Sequence, residues 1–236
     1  MVEREYTALA RPSVLVTGHL GFIGPHVWMA LKQKGYARVI GMDLKKGPEH
    51  GDQNICTADL PDVDWCIHLA AQTDARANDA LEDARTNILG SIRLFEKYKD
   101  RCIFASSCAV NYPTTPYAIS KLAGEHYARM YGSKIVRLCN IYGPGGHGVV
   151  DIFRRTKGKY LNIAGDGSQL RTYQDVGVVV AAFLHMMDTG NKFHILQGDN
   201  MSVLDVAHKY GPPGVKFKFV ERNPNDILDG RQKYWD

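Results

Sequence analysis

No apolar run in this sequence approaches the roughly 18 residues that a membrane-spanning helix needs, which argues against a helical membrane protein. The start, Met1 to Pro12, carries Glu3, Arg4, Glu5 and Arg11 where a secretory leader would be apolar, so the cytoplasm is the expected compartment. Cysteine is scarce. The five present (Cys56, Cys66, Cys102, Cys108 and Cys139) are an odd number without CxxC spacing, and three sit in or beside apolar runs. Reduced, mostly buried thiols and no metal site are therefore expected. Charge of one sign is also lacking: the formal net charge is +4, spread along the chain without aromatic-basic clusters. That pattern disfavours nucleic-acid binding and leaves an anionic small molecule compatible. Repeats and low-complexity tracts are absent, which excludes solenoid architectures.

What is present points to an α/β protein. The chain has 236 residues, 44% hydrophobic and 23% charged, enough for one globular domain or one domain with a small lobe. Ser13 to Thr17 reads as a β-branched strand, followed by a glycine turn and by Ile23, Val27, Ala30 and Leu31 at helical spacing before Gly35. Further strands are expected at Ala37 to Met42, Cys56 to Ala58, Trp65 to Ala70, Cys102 to Ser106 and Lys134 to Cys139, with helices at Leu81 to Tyr98 and Tyr117 to Tyr131. Such alternation predicts a Rossmann-type, doubly wound parallel sheet with helices on both faces and ligands at the carboxyl ends of its strands. Beyond Asn140 the texture turns Gly/Pro-rich, with a short helix near Val150 to Thr156. Asp175 then reads as the cap of an apolar helix through Met187, and Lys192 to Leu196 as a returning strand. The expected organisation is a dinucleotide-binding domain at residues 12–140, to which 175–200 returns, and a small substrate-binding lobe formed by 141–174 and 201–236. The tail from Glu221 is polar and expected to be poorly ordered.

The turn TGHLGFIG places Gly18, Gly21 and Gly24 between a strand and a helix. Missing Cβ atoms let such a turn approach a pyrophosphate, which the free N–H groups and dipole of the helix N-terminus then stabilise. Asp43 closes the next strand 25 residues after Gly18, placed to accept hydrogen bonds from an adenosine ribose. A carboxylate there repels a 2′-phosphate, favouring NAD, while Lys45 and Lys46 keep NADP open. Tyr117 and Lys121, at i and i+4 on a helix, project from one face toward one cleft. A tyrosine needs a neighbouring cation to exchange protons near neutrality.

In this order TGHLGFIG, Ala58-Asp59-Leu60, IHLAAQT, FASSCAV, PYAISK, RLCNIYGP and GDGSQLRTYQDV resemble the extended short-chain dehydrogenase/reductases, the nucleotide-sugar epimerase/dehydratase family, over nearly the whole chain. The resemblance implies that Tyr117 moves the proton of the reacting hydroxyl, that Lys121 supports it and holds the nicotinamide ribose, and that Ser107 orients the reacting oxygen. It implies cofactor contacts from Gly18, Gly21, Phe22, Ile23, Gly24, Asp43, Asp59, Leu60, Leu69, Ala70, Ala71 and Asn87. Asn140, Arg171 and, through a looser match at ERNPND, Arg222 would meet the sugar nucleotide. It also implies a homodimer built by pairing the helices at Leu81 to Tyr98 and Tyr117 to Tyr131 into a four-helix bundle.

Departures narrow the chemistry. Members that eliminate water carry an Asp-Glu pair after the catalytic Ser/Thr, and here Cys108 and Ala109 stand in those places, which disfavours dehydration. Epimerisation of a nucleotide sugar is the first expectation and reduction of a ketose the second. Only five residues separate Asp59 from Trp65, too few for a crossover between parallel strands, so a tight connection or a displaced or absent third strand is expected. The segment from Ser107 to Tyr117 is also compact. A non-catalytic, dinucleotide-binding homologue is the rival from another class.

Overall fold

The computed structural model describes residues 12–46, 53–73, 79–222 and 229–231. β1 (Val14–Thr17) is buried along its whole length and leads into α1 (Gly24–Gln33), which starts with Pro25 in its first turn and buries Val27 and Leu31. β2 (Val39–Met42), β3 (Trp65–His68), β4 (Cys102–Ser107) and β5 (Lys134–Leu138) follow. Between β3 and β4 one continuous helical stretch comprises α2 (Ala80–Asp83), a π-helical segment (Ala84–Gly90) and α3 (Ser91–Tyr98). α4 (Pro116–Met130) is capped by Thr115, whose hydroxyl accepts from the Ala118 amide, and it precedes β5. The remainder comprises β6 (Asn140–Tyr142), α5 (Val149–Arg155), β7 (Tyr160–Ala164), β8 (Leu170–Asp175), α6 (Val176–Asp188), β9 (Phe193–Ile195), β10 (Asp199–Ser202), α7 (Val203–Tyr210), β11 (Lys216–Val220) and β12 (Asp229–Gly230).

A six-stranded sheet with the order β2-β1-β3-β4-β5-β9, parallel throughout, forms the centre. Side chains alternate across it with the two-residue period of a strand. Val14, Val16, Ile67, Ile103 and Val136 face one way, onto Val27 and Leu31 of α1 and Val179, Phe183 and Met186 of α6. Leu15, Cys66, Cys102, Phe104 and Ile135 face the other, onto Leu94, Phe95 and Tyr98 of α3 and Ala128 of α4. This is the expected doubly wound α/β fold, with helices on both faces. The Asp175 carboxylate caps α6 by accepting from the Gly177 amide at 2.8 Å, as the sequence pattern anticipates. A separate core of Val150, Phe153, Leu161, Ile163, Tyr173 and Val206 holds the smaller sheets, in which β8 pairs with β6, β10 and β12, and β7 with β11.

Three expectations require correction. The strand expected at Cys56 to Ala58 is a turn: the Asn54 side chain accepts from the Cys56 amide at 2.9 Å, and its carbonyl accepts from the Thr57 and Ala58 amides. An asparagine that closes a turn with its own side chain outcompetes strand pairing here. The short Asp59–Trp65 connection therefore joins no two strands, and β3 pairs directly with β1. The helix expected at Leu81 to Tyr98 contains the π-helical segment. Two of the five cysteines, Cys66 and Cys102, are buried, and the other three are half-buried. Met1 to Arg11, most of the tail from Glu221, and the Lys46 side chain lie outside the described residues.

Because β2 and β3 flank β1, the order of the sheet reverses at β1 and β3, and a crevice opens beyond their carboxyl ends.

Candidate active site

A cleft of about 780 Å³ occupies that crevice. Gly18, Gly21, Phe22, Ile23 and Gly24 lie on its wall, with Asp43, Leu69, Ala70 and Ala71. The glycines are required by contact. A Cβ on Gly18, which has φ +69°, would stand 2.7 Å from the Ala70 amide nitrogen, and one on Gly24 would stand 2.4 Å from the His19 backbone. Gly18 thus packs against the end of β3, and Gly24 against the turn itself, with no room for a side chain at either position. The N-terminus of α1 carries no side-chain cap and no acidic residue in its first turn, so its amides and dipole suit a phosphate. Asp43 fixes the other side: its carboxylate accepts from the Leu20 amide and from the Lys45 amide, each at 2.9 Å. Every carboxylate oxygen has a second lone pair, so this tie leaves acceptor capacity for a ribose. Turn, uncapped helix and strand-end carboxylate together fit a dinucleotide.

Ser107, Tyr117 and Lys121 converge at the end of β4, beside the cleft and outside its lining. Ser107 caps the short turn Cys108–Asn111, its hydroxyl accepting from the Ala109 amide at 3.2 Å. Burial pushes the Tyr117 phenol up to about 12, against the pull of its hydrogen bond with Ser107. Lys121 is 3% exposed and points inward, donating to the Ala105 carbonyl at 2.9 Å over the Phe104 ring. Burial brings its ammonium down to about 7, while Asp83 favours the charged form. The sequence has both side chains project from one face toward the same cleft; in the structure Tyr117 turns to Ser107 and Lys121 to the Ala105 carbonyl, and neither is part of the cleft lining.

Asn87 is buried and holds the cleft wall from behind. Its amide nitrogen donates to the Gln72 carbonyl and the Ser120 hydroxyl, and its oxygen accepts from the Gln72 amide at 2.8 Å. Gln72 lines the cleft and Ser120 precedes Lys121, so Asn87 couples the loop after β3 to α4. It occupies the π-helical segment, an irregularity frequent at functional sites. Asp83, one turn earlier and 2% exposed, accepts from Asn87 at 3.2 Å. Burial, followed by the charges of Asp79 and Glu82, raises its carboxyl, and Lys121 opposes this. Sequence reading missed Asp83, although its i, i+4 spacing to Asn87 was the available signal. It also missed His147, Cys139 and the Gln53–Asn54 pair, all on the cleft wall.

Other expected contacts are distributed. Asn140 lines the cleft and donates to the Thr172 carbonyl at 3.0 Å. Arg171, on β8, donates to the Leu170 carbonyl, and its charge acts on Cys108 beside Ser107. Arg222 lies against Gly165, next to Asp166, outside the cleft lining. Asp59 and Leu60 line a separate shallow depression with Arg93, Glu96 and Lys97. Arg93 donates to the Ile55 and Ala58 carbonyls, and Lys97 to that of Leu60, which holds Asp59 and Leu60 outside the cleft lining that Ile55 still joins. Among the described residues no group of three or more His, Cys, Asp or Glu side chains could hold a metal, and no helix is long and apolar enough to cross a membrane.

The architecture has known counterparts. The chain is 30% identical to a UDP-glucose 4-epimerase of Mycolicibacterium smegmatis, over 81% of this chain and 79% of the relative. A UDP-glucose 4-epimerase structure from Thermotoga maritima with UDP-glucose superposes with a TM-score of 0.74 at 27% identity, covering 94% of this chain and 90% of that one. The structure of MoeE5 in complex with UDP-glucuronic acid and NAD superposes with a TM-score of 0.77 at 25% identity, covering 93% of this chain and 89% of that one. Residues 14–197 match the sequence profile of one family, and that match spans the glycine turn, the Ser107–Tyr117–Lys121 cluster and the returning strand β9. The chain belongs to the NAD dependent epimerase/dehydratase family, within the extended short-chain dehydrogenases/reductases.

Proposed function

We propose that the protein is an NAD-dependent nucleotide-sugar epimerase, with Tyr117 as acid/base, Ser107 orienting the reacting oxygen and Lys121 as the supporting cation. The observation that carries this reading is the juxtaposition of Ser107 and Tyr117 at the end of β4 with no acidic side chain in the two positions that follow Ser107, Cys108 and Ala109. Such a set can move one proton at one hydroxyl and lacks the additional acid and base needed to expel water. Cofactor contacts would come from the glycine turn, Asp43, Leu69, Ala70 and Ala71, and the carboxylate favours NAD over NADP.

When bound, NAD supplies a reversible hydride acceptor. The chain's part is to hold the sugar hydroxyl against Ser107 and to take its proton on the Tyr117 oxygen. A phenol at about 12 is a poor acceptor at neutral pH, and an ammonium brought within a few ångströms lowers it. Lys121, one helical turn along, is the cation in reach once it leaves the Ala105 carbonyl. Residues 12–140 and 175–200 would carry the cofactor. The lobe of 141–174 and 201–236 would carry the nucleotide sugar, with Asn140 and Arg171 as contacts and Arg222 as a more distant one. Two copies would pair through α2–α3 and α4.

The test offers UDP-, dTDP-, GDP- and CDP-sugars to the purified protein with NAD or NADP, follows near-ultraviolet absorbance and resolves the products by chromatography. A new epimeric sugar nucleotide is expected, and Tyr117→Phe should abolish it while cofactor binding persists. Binding without turnover across the panel, or retained turnover in Tyr117→Phe, would overturn the reading.

A further inference from the structure

Two pairs of cysteines face each other across neighbouring strands. Cys66 on β3 stands opposite Cys102 on β4, both fully buried, and burial pushes the Cys66 thiol well above its ordinary range. One strand over, the register pairs Ser107 with Leu138 at the ends of β4 and β5. The next residues, Cys108 and Cys139, therefore leave the sheet side by side, and their thiols meet in a hydrogen bond. Adjacent strands lie about 4.8 Å apart, inside the Cα separations of about 4.4–6.8 Å that a disulfide bridges. Neither cysteine is in a disulfide and both are half-buried. Cys139 lines the cleft and Cys108 follows Ser107. The two pairs thus share a geometry and differ in access.

Electrostatics separate them further. The hydrogen bond to Cys139 pulls the Cys108 thiol below its ordinary value; burial opposes it, and the Arg171 and Arg137 charges add to the pull. The same contact, with burial, pushes Cys139 up. One sulfur is thereby disposed to be the nucleophile and the other its resolving partner, since the thiolate is the reactive form.

We propose that Cys108 and Cys139 form an oxidisable dithiol beside the active-site cleft, whose wall Cys139 lines, closing to a disulfide when hydrogen peroxide reaches Cys108. The Cys108 sulfur attacks the O–O bond and takes one oxygen as a sulfenic acid, while the other leaves as water. The Cys139 sulfur then displaces that hydroxyl, which departs as a second water with the Cys139 proton. Two thiols lose two electrons and two protons, and the peroxide is reduced to two waters. The bridge ties the end of β4, with Ser107, to the strand end that presents Asn140. Loss of turnover on bridging rests on the epimerase reading; the dithiol itself does not.

The full chain with NAD bound is treated with hydrogen peroxide, then denatured, alkylated and mapped by mass spectrometry. Two of the five cysteines should become unreactive, the mass should fall by two hydrogens, a Cys108–Cys139 cross-linked peptide should appear, and dithiothreitol should reverse all three. Cys139→Ser should stop at a Cys108 sulfenic acid that dimedone traps. Five surviving thiols, a bridge at Cys66–Cys102, or oxidation confined to Cys56 would overturn the proposal. These readouts need no turnover, so they stand apart from the fate of the epimerase assignment. Where turnover is measurable, it should fall with bridging and return with reduction; a bridged protein of full activity would overturn the link to catalysis.

Discussion

His68 shows what single buried residues do beneath this site. It is fully buried on β3, with Nδ1 2.8 Å from the Thr17 hydroxyl and Nε2 2.9 Å from the Ser91 hydroxyl. Thr17 also accepts from the Ala70 amide, and Ser91 donates to the Asn87 carbonyl, so a polar chain runs from the cleft wall through the core to the π-helical segment. Burial, aided by the charge of Lys121, holds the imidazole at about 3. The folded state therefore prefers neutral His68, and the unfolded state binds more protons between about pH 3 and about 6.5. The contribution is complete above the upper value and is lost as pH falls toward the lower. Denaturant unfolding at pH 7, 5 and 4 should show wild-type stability falling on acidification more than that of His68→Asn, with a difference on the order of a few kcal/mol. Parallel pH curves for the two proteins would refute this role. The sequence motif IHLAAQT contains the residue, yet nothing in it reveals that both ring nitrogens have partners brought from distant positions.

At the scale of elements, α4 does two jobs with one face. Tyr117 and Lys121 occupy its first turns, and Glu125, one turn further and fully buried, binds it to the sheet. Arg137 of β5 grips that carboxylate with two nitrogens at 2.6 and 2.7 Å, Ser106 of β4 donates at 2.6 Å and Arg129 at 3.1 Å. Burial would raise the carboxyl, but the hydrogen bonds from Arg137 and Ser106, with the charges of Arg137 and Arg129, hold it below the ordinary range. Removing one partner from a buried pair strands the other, so Glu125→Ala should cost about 3–5 kcal/mol in denaturant unfolding. A loss below about 1 kcal/mol would mean that the cluster behaves like an exposed ion pair. Elements of this kind were legible because parallel strands buried on both faces read as apolar runs and their helices as amphipathic stretches. The Cys56–Ala58 turn was not, because three residues of mixed polarity carry no period and Asn54 closes the turn through its own side chain.

At the scale of the whole molecule, the crevice at the reversal of strand order was legible from the alternation of strands and helices and from the glycine turn between β1 and α1. The inward turn of Lys121 and the positions of Arg222 and Asp59 were not, since they depend on packing between segments far apart in the chain. One further property depends on the outer surface. Large apolar side chains are exposed along the helices between β3 and β5: Leu81 (80%), Leu89 (60%), Ile119 (52%) and Met130 (65%). Ile119, Tyr127 and Met130 recur at the spacing of one helical stripe on α4, and Leu81 and Leu89 recur on the neighbouring helical stretch, which packs against α4. Exposed apolar side chains at these spacings are costly unless covered, and a second copy related by a twofold axis would cover them with its own. Sedimentation velocity should therefore report a dimer at micromolar concentration, and Ile119→Glu combined with Met130→Glu should give monomers with an unchanged circular dichroism spectrum. A wild-type monomer, or a dimer that survives both charges, would remove the self-pairing and leave this face without an assigned partner.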